Sequence, residues 1–124
     1  MKSWPEPVAG EIVWCHFPDD VHPHPKPRPT LIVATKVDDE GNVFASVAYG
    51  TSQKTARLYS GEFRISKLEN PAAYASAGLS YDTKFDLKAV LELPFNDTYF
   101  SVPPHAPHGQ SPKLGILHPS ICPS

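Results

Sequence analysis

The chain has 124 residues, with 11 Lys and Arg against 13 Asp and Glu and a formal net charge of −2. This excludes a protein that coats nucleic acid through bulk electrostatics, because neutralised phosphates are the main source of such affinity. The length predicts one domain, residues 1–124, able to bury about two-thirds of the surface its unfolded chain would expose. Cys15 and Cys122 form no CxxC pair, so neither a disulfide framework nor a zinc motif is signalled and a reducing, cytoplasmic setting is expected. No apolar run approaches the roughly 20 residues that span a bilayer. Met1 to Pro5 also lacks the apolar stretch of a secretory signal.

In chain order, strand signals dominate. From Gly10 to Phe17, a two-residue period sets Ile12, Trp14 and His16 on one face and Val13, Cys15 and Phe17 on the other. Leu31 to Val37 is rich in β-branched residues, and the turn Asp38-Asp39-Glu40-Gly41-Asn42 leads back into Val43 to Tyr49, which predicts a hairpin. Further short strands are expected at Glu62 to Ser66, Lys84 to Leu93, Thr98 to Val102 and Lys113 to Leu117. One helix is expected over 71–77, with Asn70 as N-cap, Pro71 in the first turn and Gly78 at the end. Many short strands separated by turns predict a mostly β fold, a small curled sheet or barrel.

The 15 prolines are far above the usual ~5%, and they gather in two loops. Pro23, Pro25, Pro27 and Pro29 alternate through "HPHPKPRP", which predicts a stiff, extended loop suited to closing on a ligand with His22 or His24 directed at Arg28. Pro103, Pro104, Pro107 and Pro112 punctuate a second loop, "VPPHAPHGQSPK".

Three segments, "GEIVWCHF", "KPRPTLIVATKV" and "VFASVAYGTSQKT", stand in the order and close to the spacing of the first strand, the Arg-Pro strand and the Thr-ended strand of the MazF/PemK family of toxins, which this chain resembles. A weaker echo follows at "TKFDLKAVLEL" and "PKLGIL". The resemblance implies a small SH3-like β-barrel with one or two short helices. It implies a metal-independent, cofactor-free endoribonuclease that cuts single-stranded RNA by attack of the 2′-oxygen, leaving a 2′,3′-cyclic phosphate and a 5′-hydroxyl. It also implies a homodimer and control by a cognate antitoxin protein.

Arg28 matches the family's catalytic arginine, and its guanidinium is able to fork onto two phosphate oxygens. Thr51, after Tyr49-Gly50, matches the threonine that stabilises the transition state, with the amides of Ser52 and Gln53 beside it. His22 stands where the PemK-like branch has a histidine for proton transfer, followed here by Pro23 rather than the common glutamate, and His24 is a local rival. Lys84 and Asp86 fall where that branch has an arginine and an aspartate one residue apart; alternation sets them on one face, as a cation and a base or as a salt-bridged surface pair. Lys26, Ser52, Gln53, Lys54 and Arg57 are the expected RNA contacts.

Two other groupings carry less. His22-x-His24 and His105-x-x-His108 lack a carboxylate or cysteine to complete a metal site. Trp14, Tyr49, Tyr59 and Phe63 offer faces for stacking bases, though aromatics on alternating strands usually fill a core. The alternative to an enzyme is a catalytically silent barrel that binds protein or nucleic acid, or a host or phage regulatory protein that interacts through its proline-rich loops.

Overall fold

A computed structural model describes residues 4–18 and 26–121. The apolar segments form β1 (Glu11–Cys15), β2 (Arg28–Val37), β3 (Val43–Thr51), β4 (Glu62–Ile65), α1 (Pro71–Ser76), β5 (Thr83–Pro94) and β6 (Lys113–Ile116), followed by a 3-10 turn at Pro119–Ile121. The six strands make one sheet in the order β4-β5-β3-β2-β1-β6, each neighbouring pair antiparallel. The fold is therefore mostly β, and the sheet curls into a small SH3-like half-barrel.

Alternation along the strands divides the apolar residues between two cores. Ile12, Leu31, Ala48, Phe85 and Leu114 face one side, where Ala73, Ala77 and Leu79 of the helix region complete the packing. Val13, Cys15, Phe17, Ile32, Val47 and Phe100 form the second core. β1 is covered on both sides, and Ile12 to Cys15 form an unbroken apolar run. Beyond Ile32 the β2 residues are exposed, where β1 no longer accompanies them.

The β2–β3 hairpin closes at the expected turn. Asp38 Oδ1 accepts bonds from the amides of Glu40 and Asn42 at 2.9 and 2.8 Å. Those bonds hold the Asp38 carboxyl below its usual value, the Asn42 amide being the largest cause. Gly41 takes the left-handed φ of 86° that the turn requires.

Two expectations are corrected. Thr98 to Val102 is not a strand: the Asn96 side chain accepts the Thr98 amide at 2.9 Å, and the Phe100 amide donates to the Asn96 carbonyl. These local bonds fold the segment into a turn that delivers Phe100 to the core, joined to the sheet by an isolated bridge to Cys15. Asn70 does not cap α1 with its side chain; its Oδ1 accepts the Ser66 amide at 3.4 Å instead. The far end of α1 is a Schellman motif, in which the Gly78 amide bonds to Ala75 O and the Leu79 amide to Tyr74 O. Gly78 has φ 69°, and a Cβ there would strike the Leu114 carbonyl, so the turn both ends the helix and lets it rest on β6.

No helix among the described residues is long and apolar enough to cross a membrane. The first proline-rich loop, with His22 and His24, lies outside the described residues apart from Lys26 and Pro27.

Candidate active cleft

The first strand of the hairpin begins at Arg28 and the second ends at Thr51. Leu31 pairs with Ala48, and the same register carried to those two ends sets Arg28 opposite Thr51. Gly50 makes the approach feasible, since a Cβ on it would collide with the Pro29 carbonyl oxygen. Any larger residue would push the strand ends apart.

Across the sheet, Thr51 pairs with Lys84, which pairs with Arg64. One step along, Tyr49 pairs with Asp86, which pairs with Glu62. Arg28, Thr51, Lys84 and Asp86 therefore share one face of the sheet, in rows about 4.8 Å from strand to strand. The sequence period placed Lys84 and Asp86 together, and the sheet order adds the other two.

Their side chains have different surroundings. Arg28 Nη1 donates to Tyr49 Oη at 2.6 Å, and its guanidinium carbon lies 5.2 Å from the centre of the Tyr49 ring. That ring is braced edge-on by Phe17, with centroids 5.1 Å apart. One donor of the guanidinium is thus used to aim the others. Thr51 Oγ1 accepts the Gln53 amide at 3.1 Å, which fixes the turn after β3 and leaves the hydroxyl proton to be donated elsewhere.

Lys84 is buried, with its side chain only 6% exposed. Its Nζ meets Glu62 Oε1 at 3.0 Å and the Arg57 carbonyl at 2.9 Å, and it lies 5.3 Å from the Tyr59 ring centre. This ties the segment after β3 to the β4–β5 pair. The Tyr59 amide, followed by Lys84, lowers the Glu62 carboxyl below its usual value. Asp86 Oδ1 accepts the Lys88 amide at 2.8 Å.

A cleft of about 540 Å³ opens beside Arg28 and Thr51, within the range of small-ligand sites. One wall is Lys26 to Pro29 with Thr51, Ser52 and Gln53; another is Pro103, Pro104, His105 and Pro107. Trp14, Tyr81 and Leu114 add apolar surface. Among the described residues the lining carries Lys26, Arg28 and His105 but no carboxylate, although acidic residues outnumber basic ones in the chain. Such a cleft suits an anion with an attached flat or apolar group.

Of the expected RNA contacts, Lys26, Ser52 and Gln53 line this cleft, whereas Lys54 and Arg57 do not; of the expected catalytic residues, Arg28 and Thr51 line it, whereas Lys84 and Asp86 do not. Lys54 instead takes a left-handed φ of 53° in the turn beyond Gln53, and Arg57 lies over Tyr59 at 5.3 Å. Among the possible stacking residues, Trp14 reaches the cleft. Tyr49 supports Arg28, and Phe63 stacks on Phe85 at 5.4 Å in the core. Sequence reasoning missed Tyr81 and the presence of His105 here; the clue to His105 was its position in the second proline cluster. Among the described residues, no three His, Cys, Asp or Glu side chains gather in a way that would hold a metal ion.

Neither a family model nor a curated protein matches this chain.

Proposed function

We propose that the cleft binds single-stranded RNA and cleaves it without a metal, by attack of a 2′-oxygen on the adjacent phosphorus. The observation that carries this reading is a lining that, among the described residues, is free of carboxylates and has Arg28 and Thr51 at the adjoining ends of two paired strands. The guanidinium, aimed by Tyr49, contacts the non-bridging oxygens as negative charge builds, and the Thr51 hydroxyl donates a second bond. A preset donor acts without reorganising at the moment of reaction. As the P–O2′ bond forms and the P–O5′ bond breaks, the products are a 2′,3′-cyclic phosphate and a 5′-hydroxyl. Trp14 and Tyr81 offer faces for the flanking bases.

On this reading the protein acts as a toxin of the MazF/PemK kind, as a homodimer in the cytoplasm under the control of an antitoxin protein. The deciding experiment incubates the purified protein with mixed single-stranded RNA in EDTA and analyses the new ends. Cyclic phosphate and 5′-hydroxyl ends are expected. 5′-Phosphate ends would indicate attack by water rather than by the 2′-oxygen, and cleavage abolished by EDTA would indicate a metal-activated water; either overturns the mechanism.

A second reading, a non-catalytic module that binds an anionic ligand in the same cleft, is favoured by one observation: Lys84 is bound to Glu62 and Arg57 rather than presented to the cleft. Retention of RNA by filter binding, with no cleavage of any sequence, would select it.

A further inference from the structure

The segment Ser101 to Pro112 is tied to the sheet at both ends through one residue. The Ser101 amide donates to the Trp14 carbonyl at 3.2 Å, and the Trp14 amide donates to the Pro112 carbonyl at 2.8 Å. Between those anchors, the Ala106 amide closes a turn on Pro103 O, and the Gly109 amide closes another on Ala106 O. Ala106 has a φ of 40°, a left-handed conformation that a residue with a Cβ rarely takes and that persists only when its surroundings enforce it. Pro103 and Pro104 fix φ on one side of His105, and Pro107 does so just beyond Ala106.

The residue held by this frame is His105. It lines the cleft that Arg28 and Thr51 line, whereas His108, past Pro107, does not. Resting on the ribonuclease reading above, we propose that His105 is a catalytic residue, the general acid that protonates the leaving 5′-oxygen. The attacking 2′-hydroxyl gives its proton to solvent as O2′ bonds to phosphorus. The imidazolium of His105 gives its proton to O5′ as the P–O5′ bond breaks, so the 5′-hydroxyl leaves neutral and the imidazole awaits a new proton from water. An imidazole suits this transfer because its ordinary pKa lies near neutrality. Among the described residues, the other charged or titratable groups lining the cleft are Lys26, Arg28 and Tyr81. The proline frame holds the backbone of His105 at the cleft wall before RNA arrives, so little backbone freedom is lost on binding.

The test compares an oligoribonucleotide with the same strand carrying sulfur in place of the leaving 5′-oxygen, since a thiolate departs without a proton. His105→Ala and His105→Gln are expected to slow cleavage of the all-oxygen strand by about a hundredfold or more, the range for a lost general acid. They should leave the sulfur strand within a few-fold of wild type. Equal losses on the two substrates would reduce His105 to a shaping residue and overturn the inference, as would a His105→Gln protein of normal activity. In both of those outcomes wild type still cuts RNA and Arg28→Ala still fails, so the ribonuclease reading survives. If wild type cuts neither strand, that reading falls and takes this inference with it.

Discussion

Arg28 and Tyr49 are locked together: Nη1 donates to the phenolic oxygen at 2.6 Å while the guanidinium lies 5.2 Å from the ring centre. The two residues sit diagonally across paired strands, so the sheet itself sets the direction of the arginine. Arg28→Ala is expected to reduce RNA cleavage by about a hundredfold or more, the scale of losing a donor to transition-state charge. Tyr49→Phe keeps the ring and removes the acceptor of a charge-assisted hydrogen bond, and should cost about ten- to a hundredfold. Cleavage rates under single-turnover conditions, with circular dichroism to verify folding, check both.

Thr51 contributes a single neutral hydroxyl, already accepting the Gln53 amide. Thr51→Ala should lower cleavage by about tenfold, less than Arg28→Ala, and Thr51→Ser should restore most of it because the donor returns. An equal defect in the serine variant would assign the effect to the methyl group's packing.

The Lys84–Glu62 pair has side chains 6% and 11% exposed, against 61% and 46% for Lys36–Glu92. Removing one partner of a buried pair strands the other charge, whereas exposed pairs contribute little. Lys84→Ala should therefore lower the thermal midpoint clearly more than Lys36→Ala does. Glu62 adds a pH dependence. Its folded pKa is depressed, so its stabilisation is present above the unfolded carboxylate value of about 4.3 and is lost as pH falls through the folded value. Denaturant titrations of wild type and Glu62→Gln between pH 7 and pH 3 should converge at the acid end.

Cys15 is fully buried, and burial pushes its thiol up to about 12. In the native protein it should react with a thiol reagent at pH 8 only as fast as the fold opens, whereas the unfolded chain reacts at once. The raised value also favours the folded state fully below the unfolded thiol pKa of about 8.5, and that contribution is lost as pH rises from there towards 12. Cys15→Ser should flatten the alkaline limb of the stability profile. Rapid labelling of Cys15 in the folded protein, read in a Cys122→Ser background, would contradict the packing.

Gly50 is the last test of the strand ends. Gly50→Ala would drive a methyl group into the Pro29 carbonyl, so it should impair both stability and cleavage, while Gly41→Asn, in an open turn with φ 86°, should be tolerated. Urea midpoints and cleavage rates of the two variants make the comparison.

Much of the fold was legible in the chain because it depends on local periodicity. Alternation assigned Ile12 and Trp14 to one face and Val13, Cys15 and Phe17 to the other, and the two cores divide that way. The Asp38 to Asn42 turn announced the hairpin, which fixed how Arg28 and Thr51 approach each other. Where a polar side chain offered its neighbours a competing local bond, the pattern misled: Asn96 turned Thr98 to Val102 away from a strand, and Asn70 served Ser66 rather than the helix. What no local pattern contains is the order of strands. Because β6 returns beside β1, the loop that enters β6 is stitched to Trp14, and His105 lines the same cleft as Arg28 although it lies far away in the chain. Lys84 likewise read as a partner of Asp86, a cation and base or a surface ion pair, until the β4–β5 pairing set Glu62 within 3.0 Å of its nitrogen. A residue's face is decided by its own strand, but its neighbours are decided by which other strands and loops the core brings alongside.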